Sequence, residues 1–531
     1  MKTLHFLLAL CTASLSAAET SERPNIVFCF ADDWGRYAGF LDKVDGGRPS
    51  LNQIIKTPNI DRMAGEGAVF RNAFVTAPSC TPCRSSLLSG QYFFRTHMGA
   101  ILSGARWDNA IPTYPLMLQD AGYHIGKMYK VWSPGTPADA PYGGQKNAFE
   151  KAGRAYNRFS SNATLMVKNG STFEAAKAKL LGQVRTNFKS FLDANTDGKP
   201  FCFWFGPTLT HRSFEKHSGA NLWKINPNDL KGKLPAFLPD VPEIRDDVAD
   251  YMGEIQAWDA GIGTIIAELK ARGQFDNTIL VISGDHGMPG VPAGKCNLYD
   301  HGTGVALIVR GPGVKAGRVI DDFVNLMDLA PTFLDLGHVA TPAVMTGRSI
   351  LPLLKSEQTG QIDPTRTWVV TGRERHVGIA REGSLPYPHR ALRTKEFLYI
   401  RNFAPERWPM GSPNFTTRAD LPKFEEIEKS TYATFADMDA SPTKAWVVNQ
   451  FDNPQFKWSF DYAFAKRPAD ELYDLAKDHD QMKNVAADPA YTDTLKRMRG
   501  QLMETLVKVE DPRVTGDGSK FDKPPFTVQA K

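Results

Sequence analysis

The chain has 531 residues, 42% hydrophobic and 23% charged, with 63 basic against 58 acidic residues and a net charge of +5. That length exceeds one simple core and predicts a large domain with a smaller companion. The composition excludes a disordered or low-complexity chain, and the diffuse basic excess, with no lysine–arginine run, argues against a nucleic-acid partner.

In chain order, Lys2, the apolar stretch from Leu4 to Leu10 and Ser16-Ala17-Ala18 read as a secretory signal peptide, residues 1–18. The apolar run is too short to span a membrane, and no later segment is apolar enough to do so. The mature protein is therefore expected to be secreted or periplasmic, or lysosomal in a eukaryotic cell, with no membrane partner. Of six cysteines, Cys11 leaves with the signal, and the spacing of the rest shows neither a disulfide framework nor a zinc pattern.

Asn25–Phe30 is a continuous apolar run, as expected of a strand buried on both faces of a parallel sheet. It ends at Asp32-Asp33, on the strand edge where open α/β sheets collect ligands. Similar strands are predicted at Phe201–Phe205, Ile279–Ile282 and Val305–Val309. Between them, Asp247–Lys270 carries Tyr251, Ile255, Trp258, Ile262, Ile266 and Leu269 at helical spacing. This alternation predicts an α/β domain over residues 19–390, with a large, mostly parallel sheet flanked by helices. Residues 391–531 read as a smaller α+β domain with antiparallel strands, a terminal helix near Thr492–Val509 and a loosely held tail after Asp511.

The string Cys80-Thr81-Pro82-Cys83-Arg84, continuing to Ser89-Gly90, reads as a short helix with Pro82 in its first turn and Gly90 as its stop. That places Cys80 at a helix N-terminus, where anions are held, with Arg84 one turn in. A later strand delivers Asp285-His286 to the same edge as Asp32 and Asp33. Three carboxylates crowd together only around a cation, and oxygen ligands favour Ca²⁺ or Mg²⁺ over zinc.

The Cys80 string resembles the sulfatase signature at every constrained position. The resemblance implies an alkaline phosphatase/sulfatase-like fold and oxidation of Cys80 to formylglycine (3-oxoalanine) by a formylglycine-generating or sulfatase-maturing partner. It also implies one calcium ion, with Mg²⁺ as the lesser alternative, held by Asp32, Asp33, Asp285, His286 and residue 80. Lys295, Arg84 and Lys130 take the sulfate-facing positions, and His211 that of the proton donor. Gly122–Trp132 resembles the second sulfatase signature, but Trp132 stands where a histidine is usual, and a shifted register would use Lys127 in place of Lys130.

Lys130-Val131-Trp132-Ser133-Pro134-Gly135 and Thr371–His376 resemble the branch related to heparan N-sulfatases. There Trp132, Arg373, Arg375 and His376 are candidates for contact with a sulfated carbohydrate, such as a glycosaminoglycan; the arginines equally suit interdomain salt bridges. The expected activity is hydrolysis of sulfate esters or N-sulfates. Alternatives are a phosphomonoesterase or phosphodiesterase of the same superfamily, and an inactive sulfated-glycan-binding protein.

Overall fold

A computed structural model describes residues 23–528. The signal-peptide reading and Cys11 lie outside the described residues. The strands, in order, are β1 (Asn25–Ala31), β2 (Ala68–Phe70), β3 (Ala73–Phe74), β4 (His124–Tyr129), β5 (Phe201–Gly206), β6 (Thr278–Gly284) and β7 (Leu307–Arg310). There follow β8 (Arg318–Ile320), β9 (Val324–Asn325), β10 (Trp368–Arg373), β11 (His389–Thr394), β12 (Phe397–Asn402) and β13 (Asp470–Asp474).

Seven of these form the main sheet in the order β4-β5-β1-β6-β7-β2-β8. The central strands β4, β5, β1 and β6 are mutually parallel, while β7 runs antiparallel to both β6 and β2. The fold class expected from the sequence is the one observed. β1 is buried along its whole length, with alternate residues feeding two cores. Val27 and Cys29 join one core with Trp258 and Ile262 of the helix Pro242–Ala271; Ile26, Phe28 and Phe30 join the other with Leu87 and Phe333.

The second sheet, β10-β11-β12-β13, is antiparallel throughout. The helix Thr492–Lys508 packs on it through Met498, Leu502 and Leu506. The tail is firmly held, contrary to the loose segment expected. Asp511 is buried against Arg390, and Phe521 and Phe526 join the same core as the terminal helix. Among the described residues, no helix is long and apolar enough to cross a membrane.

Candidate active site

Parallel β4, β5, β1 and β6 end at one edge of the sheet, so the residues just beyond them are brought together. β1 leads into Asp32 and Asp33, β6 into Asp285 and His286, β4 into Lys130, and β5 into the loop bearing His211. Register pairs Ala31 with Gly284, which sets the two acidic turns side by side. The turn after His286 needs glycine at 287, where a Cβ would lie 1.7 Å from the His301 carbonyl oxygen.

Cys80 opens the helix Cys80–Ser89, which stops at Gly90 with φ +64°. Ser79 occupies the N-cap position, but its hydroxyl meets His376 Nδ1 at 2.8 Å and does not cap the helix. The first helical N–H groups are left for another acceptor.

Cys80 Sγ lies 3.5 Å from His286 Nε2 and 3.9 Å from Asp33 Oδ1. His286 Nε2 is 3.3 Å from Asp33 Oδ1 and 3.5 Å from Asp285 Oδ1. One ligand atom from each of Asp33, Cys80, Asp285 and His286 falls within a 4.8 Å cluster, and Asp32, Asp33, Cys80 and His211 form an overlapping one. The positive groups close around them. Arg84 donates to Asp285 Oδ2 at 2.9 Å and Asp32 Oδ1 at 3.1 Å, and Lys130 donates to both Asp32 oxygens at 2.8 Å. Lys295 donates to Asp33 Oδ2 at 3.0 Å, and His211 Nε2 stands 3.9 Å from that oxygen.

Burial pushes the Asp32 carboxyl up, but Lys130 and Arg84 outweigh it and hold the group well below the usual carboxylate range. Burial, reinforced by Asp32 and Asp285 and only partly opposed by Lys295, pushes Asp33 up to about 7. A carboxyl raised this far chiefly by burial is one whose charged form a bound cation would stabilise, and an oxygen-dominated set with one imidazole suits a hard divalent ion. Burial and the Asp32 charge push the Cys80 thiol well above its ordinary value. An unmodified thiol here is a poor nucleophile.

A family model described as Sulfatase matches residues 24–339. The chain belongs to the sulfatase family. A second model, the N-sulphoglucosamine sulphohydrolase C-terminal region, matches residues 287–408 of this sulfatase. The human N-sulphoglucosamine sulphohydrolase is 27% identical over 534 residues, covering 95% of this chain and 94% of the relative. A structure solved with its substrate, D-glucosamine-2-N,6-O-disulfate, superposes with a TM-score of 0.56 at 18% identity, covering 94% of this chain and all of that one. A phosphonate monoester hydrolase from Silicibacter pomeroyi gives 0.57 at 18% identity, covering 94% and 97%.

In this sulfatase Lys130, not Lys127, reaches the acidic cluster. Lys127 is buried elsewhere, bonded to Asp139 at 2.9 Å and Glu150 at 2.8 Å. Trp132, expected as a substrate contact, is wholly buried instead. Its indole N–H donates to Ser85 Oγ at 2.8 Å and its ring packs against Trp107, so it supports the Cys80 helix from beneath. Arg375 is likewise turned inward, onto the Ser103 and Val528 carbonyls, and Arg373 onto the Pro409 carbonyl. Of the four candidates in that group, only His376 adjoins Cys80, through Ser79.

Sequence reasoning missed Asp439, whose carboxylate stands 3.1 Å from Lys295 Nζ, the ammonium that also meets Asp33. Burial raises its pKa, but Lys295 and His211 outweigh that and hold it well below the usual range. No motif surrounds Asp439, and only the packing of the 430–440 segment brings it here.

Proposed function

We propose that this sulfatase releases sulfate from a sulfated amino sugar of a glycosaminoglycan, using a formylglycine derived from Cys80 and one calcium ion. The observation that carries the reading is the convergence of Cys80 with Asp33, Asp285 and His286 inside a ring of Lys130, Lys295 and Arg84. The names of the human relative and of the C-terminal model support an N-sulfated glucosamine, and the substrate of the disulfated-sugar complex supports the same chemical class.

Asp32, Asp33, Asp285 and His286 would hold the ion, and the hydrated aldehyde with that ion supplies an oxygen nucleophile for sulfur that the raised Cys80 thiol does not. Arg84 braces Asp32 and Asp285 from below, and its burial fixes their spacing. Lys130 and Lys295 place ammonium charges where the sulfuryl oxygens gain charge in the transition state.

His211 Nδ1 lies 2.6 Å from the Arg212 carbonyl, which only accepts, so Nδ1 carries the proton of the neutral ring. Nε2 then holds a proton to give the leaving nitrogen or oxygen only when the ring is charged. Burial and Lys295 lower its pKa, so the charged, proton-donating ring is favoured only at pH below the ordinary imidazole range.

The fold shared with a phosphonate monoester hydrolase keeps a phosphoryl-ester reading as the alternative. The two ligand clusters share Asp33 and Cys80 and amount to one centre, whereas phosphomonoester hydrolysis usually recruits two metals. The test is to incubate the mature protein with N-sulfoglucosamine, glucosamine 6-sulfate and an aryl phosphate. Release of sulfate from one of the sugars is expected. Faster release of phosphate would favour the alternative, and binding of sulfated sugars without release would make the protein a glycan-binding one.

A further inference from the structure

Behind the catalytic wall, two arginines share too little negative charge. Arg373 and Arg381 are 1% and 6% exposed and lie against each other, both donating to the Pro409 carbonyl oxygen, at 2.6 and 2.8 Å. Arg381 also donates to Asp437 Oδ2 at 2.7 Å and to the Trp408 carbonyl at 2.6 Å. Arg373 Nη1 stands 3.7 Å from that same Asp437 oxygen, beyond hydrogen-bond reach.

Two guanidiniums therefore face one carboxylate, and carbonyl dipoles do not cancel a whole charge. The nearby acids are engaged elsewhere: Glu374 pairs with Arg390 and Arg513, and Asp511 with Arg390. Arg375 adds a third buried guanidinium bonded only to carbonyls.

The donors match this imbalance. Arg373 Nε and Nη1 and Arg381 Nη1 are buried without a hydrogen-bond partner, as is Nε2 of His389, the residue paired with Arg373 across β10 and β11. Buried N–H groups of a charged side chain are rarely left unmet, and an uncompensated buried charge is strongly destabilising.

We propose that Arg373 and Arg381 bind a small inorganic anion of the halide class, which completes this buried cluster. The anion has a structural role beside the active site. Asp437 accepts the Val377 N–H at 2.9 Å, and its neighbour His376 meets Ser79, so the cluster holds in place the segment touching the residue before Cys80.

The test uses the intact protein with no sulfated sugar present. Crystals grown in sodium bromide are expected to show an anomalous peak within hydrogen-bond reach of Arg373 and Arg381. In solution, replacing gluconate by chloride at constant ionic strength should raise Tm saturably by a few degrees. Arg373→Met, which keeps the Arg381–Asp437 pair, should abolish that dependence; should it fail to fold, the two wild-type experiments still decide. Ordered water in place of bromide, or equal Tm in both salts, would overturn the proposal. So would density that appears there only with a sulfated sugar, which would make the cluster a substrate subsite.

Discussion

Lys127 lies within β4 and Lys130 just beyond its end, after Tyr129 takes a φ of 71° that breaks the strand's alternation. One lysine neutralises Asp139 and Glu150 inside the fold, while the other meets Asp32 at the sheet edge. Lys130→Met should lower kcat/KM about 100-fold or more, with a smaller loss of stability because Arg84 still pairs with Asp32. Lys127→Met should instead cost about 3–5 kcal/mol of stability, because it strands buried carboxylates, while the folded fraction keeps its kcat. Chemical denaturation and steady-state kinetics on both variants separate these outcomes.

Asp33 ties the same site to pH. Its pKa in the folded, ion-free chain, about 7, lies above the ordinary aspartate value of 3.8. Between those values the folded state holds a proton that the unfolded chain has lost. The associated stability is complete at low pH and disappears as pH rises through about 7. A bound divalent ion would take over from that proton. Chelation should therefore lower Tm more at pH 8 than at pH 5, and an equal drop at both would contradict a cation held by Asp33.

Among the elements, the C-terminal tail illustrates what long-range pairing adds. Asp511 Oδ2 accepts from Arg390 Nε of β11 at 2.6 Å, and Arg513 joins Glu374 just past β10. Asp511→Ala should cost about 3 kcal/mol, since Arg390 is fully buried and would keep Glu374 as its one carboxylate, itself shared with Arg513; urea denaturation measures this. Asp511 and Arg390 are 121 positions apart, and the lysines and prolines around the tail mask its buried Phe521 and Phe526. The central strands were legible for the opposite reason. β1, β5 and β6 are buried on both faces, so their apolar character is continuous and local. β7 shows the limit of that signal, because an apolar run does not reveal that it lies antiparallel to β6.

For the whole molecule, the candidate site was readable because its parts sit in short strings at strand ends and at one helix start. Three carboxylates, a cysteine and an arginine need no distant partner to be noticed. The surroundings were not readable in that way. Asp439 reaches Lys295 only through the packing of the second lobe, and Arg373 and Arg375, which suited a sugar or an interdomain salt bridge equally, turn inward to backbone carbonyls. Trp132 in place of a histidine likewise gained its meaning from Ser85, 47 positions away on the Cys80 helix.

The central claim is that residue 80 works as an aldehyde facing a cation, and not as a thiol. Mass spectrometry of the residue-80 peptide, from protein made alongside a maturing enzyme and shown to release sulfate, tests it most directly. The peptide should carry the aldehyde mass, with activity rising in proportion to the converted fraction. Full sulfate release from protein whose Cys80 remains an intact thiol would contradict it.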